Sequence, residues 1–148
     1  MPSTHTSLYF HIVFSTKDRL PLIAVDWKEK LHAYLGGIVR NQKGIALAVG
    51  GIENHVHLLV SLNATHCLSD FMRELKASSS GWIHREISLK DFKWQVGYGA
   101  FTVSPNNLER VKNYILNQEE HHRKQKFEEE YISLLKASNV NYEEKYLW

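Results

Sequence analysis

Three prolines, two methionines and a single cysteine are spread over 148 residues, and the formal net charge is only +2. One cysteine, Cys67, rules out an internal disulfide and points to a reducing, cytoplasmic setting. Nothing beside it in the sequence suggests a lowered thiol pKa, so it is expected as a small residue packed near a helix start. No window approaches the ~20 apolar residues of a membrane span, so no membrane partner is expected. The opening MPSTHTS has neither a charged n-region nor an apolar run, and no signal peptide is expected. The small net charge does not by itself imply a nucleic-acid partner, but leaves room for local basic patches. Repeats, low-complexity tracts and linkers are also missing. One domain over residues 1–148 follows, with 139–148 as a C-terminal tail.

Histidine, by contrast, is plentiful, with nine in the chain. Two of them stand in the stretch Asn54-His55-Val56-His57-Leu58-Leu59-Val60. Strict alternation puts His55 and His57 on one side of a strand and Val56, Leu58, Val60 and Leu62 on the other. Two neutral imidazoles at period two are a ready pair of metal ligands. His-x-His also occurs in hydrolases, cupins and histidine-triad nucleotide enzymes; here Leu59 stands where a third histidine would be.

Around that strand the chain reads in order. Ser7 to Ser15 is a strand with Leu8, Phe10, Ile12 and Phe14 on its core face and Tyr9, His11 and Val13 on the other. Lys17 and Arg19 follow as candidate phosphate contacts. Asp26 with Glu29 has the spacing of a capping box, and Trp27, Leu31, Tyr34, Leu35, Ile38 and Val39 predict an amphipathic helix ending near Asn41 to Gly44. Ile45 to Ile52 forms a hairpin with the histidine strand through Glu53-Asn54. Leu68 to about Ile87 predicts a long helix capped by Ser69, with Arg73 and Lys76 as further candidate phosphate contacts. Phe92 to Ser104 reads as a strand, in one piece or split, whose Trp94 and Tyr98 are either core residues or platforms for bases. Pro105-Asn106-Asn107 opens a helix with Leu108, Val111 and Ile115 as its apolar stripe and Tyr114, Gln118 and His121 beside it. A final helix runs from Phe127 to about Lys136. The tail residues Tyr142, Tyr146 and Trp148 need a surface to dock on, such as a second subunit's. This order predicts an α+β sandwich, a mainly antiparallel sheet with helices over one face and the histidine face left free for a site.

The strand histidines and the late Tyr-x-x-x-Gln gain meaning as a set. The Gln118 amide oxygen can supply a third neutral ligand one turn from the Tyr114 phenol. Open positions for phosphate oxygens and water would suit Mg²⁺ or Mn²⁺.

Asn54-His55-Val56-His57-Leu58-Leu59-Val60 together with Asn113-Tyr114-Ile115-Leu116-Asn117-Gln118 resembles the single-tyrosine HUH transposases of the smallest bacterial insertion sequences, the IS200-like family. Phe10-His11-Ile12-Val13-Phe14-Ser15-Thr16-Lys17 and Trp94-Gln95-Val96-Gly97-Tyr98-Gly99 are similar to its first and late strands. The resemblance runs nearly end to end. It implies a ferredoxin-like palm in an intertwined homodimer, acting on single-stranded DNA with hairpin ends and needing no nucleotide cofactor. Tyr114 would be the nucleophile that forms a 5′-phosphotyrosine, and His55, His57 and Gln118 would bind the divalent ion. Alternatives are a domesticated REP-associated tyrosine transposase, a non-cutting DNA-binding relative and a small-molecule metallohydrolase.

Overall fold

The computed structural model describes residues 3–148; Met1 and Pro2, the first residues of the stretch read as lacking a leader, lie outside the described residues. Four strands, β1 (Leu8–Ser15), β2 (Ile45–Ile52), β3 (His55–Leu62) and β4 (Gly99–Thr102), form one antiparallel sheet in the order β2-β3-β1-β4. The central pair sets the register of the site. Ser15 lies opposite His55, Val13 opposite His57 and His11 opposite Leu59.

Alternation along these strands separates two kinds of surface. Ile12 and Phe14 of β1 and Val56, Leu58, Val60 and Leu62 of β3 point to one face, under α1 (Val25–Asn41) and α2 (Leu68–Trp82). Leu31, Leu35, Phe71 and Leu75 meet them there, and all four are fully or almost fully buried. Burying a side chain of this size is worth about 1.5–3 kcal/mol, so this face carries much of the fold's stability.

The other face is not bare, contrary to the expectation of helices on one side only. It carries His11, Val13, His55, His57 and Leu59 beneath α3 (Leu108–Leu116), the single turn α4 (Gln118–His121) and α5 (Phe127–Ala137). Glycine lets α3 come this close. A Cβ on Gly50 would stand 2.1 Å from the Ile115 carbonyl oxygen, so only a hydrogen fits between β2 and that helix. Gly36 and Gly37 play no such part, since a Cβ at either would meet only ordinary contacts.

Several local expectations need correction. Helix α1 starts at Val25 with Ala24 as its unassisted cap, and Asp26 sits inside the first turn, where its carboxylate faces the positive end of the helix dipole. Helix α2 starts at Leu68, so Cys67 and not Ser69 occupies the cap position. Cys67 is exposed there, not packed, and the Ser69 hydroxyl and the Asp70 backbone lower its thiol pKa. The last turn of the predicted long helix widens into a π-turn over Ile83–Ile87, closed by Ser88 at a left-handed φ of 65°. Only Gly99–Thr102 of the expected strand 92–104 is strand. Trp94 makes an isolated bridge to Thr16, and Gly97, at φ 94°, turns the chain away between the two pieces. Trp94 is core: its indole N–H donates to Ser79 Oγ at 2.9 Å and its ring packs edge-on against Phe14 and Phe92. The tail docks on its own chain, Tyr142 and Leu147 lying against the cluster of Phe127, Tyr131 and Leu135, and Trp148 against Phe127 and Tyr131. Tyr146 remains exposed.

Candidate active site

The site forms where β3 meets the three late helices. Alternation on β3 turns the His55 and His57 rings away from the apolar core, and the late helices then bury both completely. Phe127 of α5 lies flat on His55, with ring centroids 4.1 Å apart. The outer nitrogen of each imidazole is fixed by a neighbour: His55 Nδ1 is 2.7 Å from Asn54 Oδ1, and His57 Nδ1 is 2.7 Å from His11 Nε2. Such contacts decide which ring nitrogen carries the proton and hold the ring in place.

Helix α3 ends at Leu116, and Asn117, at φ −107° and ψ 28°, breaks it from the turn that bears Gln118. Tyr114 and Gln118 therefore stand on two consecutive helical pieces, not on the single helix expected. They stay linked, because Gln118 Nε2 donates to the Tyr114 carbonyl at 3.1 Å. That bond turns Gln118 Oε1 inward, 3.2 Å from His55 Nε2 and 2.9 Å from His122 Nε2.

Glu130 of α5 joins the two halves of the site. One carboxylate oxygen, Oε1, lies 3.0 Å from His57 Nε2, 3.3 Å from His122 Nε2 and 3.5 Å from His55 Nε2. The other, Oε2, accepts the hydroxyl hydrogen of Tyr114 and lies 3.2 Å from His121 Nε2. Burial alone would raise this carboxyl's pKa, but the bonds to His122, His55 and His57 outweigh it and hold the group well below the usual carboxylate range. Burial pushes the Tyr114 phenol above its ordinary value, and the Glu130 charge beside it adds to the effect. His55 goes the other way, down to about 4, because its burial disfavours the imidazolium. His11 falls to about 3 for the same reason, helped by His57. His122 is raised, the pull of Glu130 exceeding the cost of burial.

His55, His57, His122 and Glu130 each offer a ligand atom, and these atoms all lie within 4.8 Å of one another. A carboxylate among imidazoles, with His55 neutral near pH 7, is a donor set that fits a divalent ion.

Tyr114, Gln118, His55 and His57, all predicted from sequence, are thus brought together within one chain. The predicted basic residues are not. Lys17 is exposed just past β1, where its backbone N–H donates to the Lys93 carbonyl. Arg19 is tied up, with Nε 2.9 Å from Glu128 and its guanidinium over the Trp148 ring. Arg73 and Lys76 ride on α2, across the sheet from the histidines. Arg73 pairs with Asp70, and the Lys76 ammonium donates to the carbonyls of Gln95 and Gly97. Two other cations, Arg110 and Lys124, line a cleft at Tyr114 together with Asn113, Asn117 and His121. Sequence reasoning missed His11, His122 and Glu130. A signal existed for the last: Phe127, Glu130, Tyr131 and Leu134 share one helical stripe, and a carboxylate among apolar residues there is out of pattern.

A His-x-His strand at the centre of an antiparallel sheet, crossed by a tyrosine helix, makes this a small α+β domain with a histidine-rich candidate metal site. The chain belongs to the IS200-like transposase family, whose model, described as "Transposase IS200 like", matches residues 4–118. It is 24% identical over 119 residues to the ISDra2 transposase TnpA of Deinococcus radiodurans, covering 75% of this chain and 84% of that protein. Among solved structures, a transposase from Deinococcus radiodurans superposes with a TM-score of 0.66 at 24% identity, over 80% of this chain and 95% of that one. A REP-associated tyrosine transposase bound to a REP hairpin gives a TM-score of 0.55 at 15% identity, over 78% of this chain and 70% of that one. Among the described residues, no helix is long and apolar enough to cross a membrane.

Proposed function

We propose that this transposase cleaves and rejoins single-stranded DNA at hairpin-bearing ends, with Tyr114 as the nucleophile. The supporting observation is that the Tyr114 hydroxyl, held by Glu130 Oε2, reaches the same buried cluster as His55, His57 and Gln118. In the proposed step the phenol oxygen bonds to phosphorus and the bond to the 3′-oxygen breaks. A 5′-phosphotyrosine and a free 3′-hydroxyl result, and the bond energy stored in the adduct allows rejoining without ATP.

The chain's own groups set up that step. Glu130 fixes the phenol's direction, and its charge, with burial, keeps the hydroxyl protonated at rest. The phenolic proton has two acceptors in contact, Glu130 Oε2 and, at 3.3 Å, His121 Nε2. His55, His57 and Gln118 would hold Mg²⁺ or Mn²⁺, which when bound offsets the negative charge that develops on the phosphate. Arg110 and Lys124, which line the cleft at Tyr114, would meet the DNA backbone there, with the exposed Lys17 a further phosphate contact, whereas Arg19, Arg73 and Lys76 would have to give up the contacts described above. We further propose a homodimer as the working unit.

The test is a labelled hairpin-bearing strand incubated with the protein and Mg²⁺ or Mn²⁺. A denaturant-stable protein–DNA adduct is expected. Tyr114→Phe must abolish it, and His55→Ala with His57→Ala must reduce it by at least about 10²-fold, the scale of a lost electrostatic stabiliser. An adduct that survives Tyr114→Phe overturns the assignment.

A further inference from the structure

The geometry of the cluster points further than two histidines and a glutamine. His55 Nδ1 faces Asn54 Oδ1, and His122 Nδ1 faces the Gln125 carbonyl oxygen, each at 2.7 Å. Both partners are oxygens that only accept. A neutral imidazole has one N–H, so in each ring it lies on Nδ1 and leaves Nε2 as a bare lone pair.

Those two lone pairs face further acceptors. Gln118 Oε1 is 3.2 Å from His55 Nε2 and 2.9 Å from His122 Nε2, and Glu130 Oε1 is 3.5 and 3.3 Å from the same two atoms. Gln118 is not turned the wrong way round, because its amide N–H₂ is occupied by the Tyr114 carbonyl. Four buried or half-buried acceptor atoms therefore converge; a hydrogen on His57 Nε2, 3.0 Å from Glu130 Oε1, satisfies that oxygen alone, and the contacts of the two bare nitrogens with Gln118 Oε1 stay repulsive unless a cation sits among them. A proton on one of the two nitrogens relieves that nitrogen's contacts and leaves the other's. A metal ion relieves all of them at once. The separations agree, since neighbouring ligand atoms around an ion with bonds of about 2.1 Å lie about 3 Å apart.

We propose that α5 and the turn before it complete the ion site. His122 and Glu130 join His55, His57 and Gln118 as ligands, making an imidazole-rich set that takes a first-row transition ion such as Mn²⁺ in preference to Mg²⁺. The second oxygen of Glu130 holds the Tyr114 hydroxyl, so one carboxylate ties the ion to the tyrosine. The proposal rests on the reading of His55 and His57 as ligands and extends it to two residues outside the 4–118 family match. Three imidazoles are what disfavour Mg²⁺, which prefers oxygen donors and keeps several of its waters.

The experiment is a calorimetric titration of the full chain with Mn²⁺, repeated in competition with Mg²⁺, with a melting curve for each variant. Wild type is expected to bind Mn²⁺ at least about tenfold more tightly than Mg²⁺. Glu130→Gln and His122→Ala should each weaken Mn²⁺ binding by about 10–100-fold. Glu129→Gln makes the same charge change on an exposed neighbour and should leave it unchanged. If Glu130→Gln melts too early to titrate, His122→Ala, outside any helix core, carries the test alone. Mn²⁺ affinities within twofold of wild type in folded Glu130→Gln and His122→Ala, or equal Mg²⁺ and Mn²⁺ affinities in wild type, overturn the proposal. Failure of the DNA-cutting reading looks different: no adduct on any hairpin strand, while Mn²⁺ binding still depends on Glu130.

Discussion

Both faces of the sheet are built from alternate residues of the same strands. On β3, Val56, Leu58 and Val60 go to one side and His55, His57 and Leu59 to the other, and all six are fully buried. What differs is the material that covers them. Helices α1 and α2 bring leucine, phenylalanine and methionine to an apolar contact that needs only shape. The late helices bring Tyr114, Gln118, His122 and Glu130, and every polar atom they bury has to find a partner. One face is held by volume, the other by a network, and the two should respond differently to the same insult.

The largest effect is expected from a cavity on the packed face. Leu58→Ala should lower stability by about 2–5 kcal/mol in urea denaturation, because a fully buried leucine leaves a void that its neighbours only partly fill. At a temperature where the variant is still folded, its metal affinity should stay within about twofold of wild type, as no site atom has been touched. A loss of site function matching the loss of stability would show that the faces do not act separately.

A smaller change in stability with a larger one in chemistry is expected at Gly50. Its missing side chain is what lets the Ile115 carbonyl approach β2, so Gly50→Ala must push α3 outward. Overpacking of this kind costs about 1–3 kcal/mol. Tyr114 precedes Ile115 on that helix, and a displacement of about 1 Å at a reacting group can cost about 10²-fold in rate. The measurements are the unfolding free energy and the initial rate of adduct formation at saturating metal. A rate unchanged from wild type would mean that α3 does not set the tyrosine's position.

The two faces also differ in how far they can be read from the chain alone. Hydrophobic alternation in β1 and β3 and the helical stripe from Trp27 to Val39 give the packed face almost residue by residue, because burial in a shape-driven core depends on period and little else. The strand histidines, Tyr114 and Gln118 were legible as chemistry because their spacing put them on one strand face and one late helix. Their surroundings were not. Nothing local shows that Asn117 breaks the helix or that α5 folds back over β3. Glu130 acquires much of its meaning from contacts more than seventy positions away in sequence, with His57 and His55. Lys76 and Arg19 show the converse. Charge placed them among DNA contacts, and tertiary structure gave them carbonyl oxygens, Glu128 and the Trp148 ring instead.

The gentlest way to part the two faces is acid. His11 and His55 titrate at about 3 and about 4 in the folded chain, against about 6.5 when unfolded, because burial opposes their charged forms. Between those limits the unfolded chain binds more protons than the folded one, so stability is lost as pH falls from about 6.5 toward 4. Glu130, held below the ordinary carboxylate range, adds a contribution present above its unfolded pKa and lost at lower pH still. His122 runs the other way, its raised pKa favouring the folded state at low pH and losing that effect as pH rises. His32 on α1 is lowered to about 4 by burial as well, so three lowered imidazoles and one lowered carboxylate outweigh one raised imidazole, and all of these groups except His32 lie on the networked face. Amide hydrogen exchange of the metal-free protein, corrected for its intrinsic pH dependence, should therefore show α3 and α5 losing protection between pH 6.5 and 4 while α2, which carries none of these groups, keeps its own. Equal loss on both sides would mean that the sheet transmits the strain of protonation to its apolar face, and that the network and the packed core open as one unit.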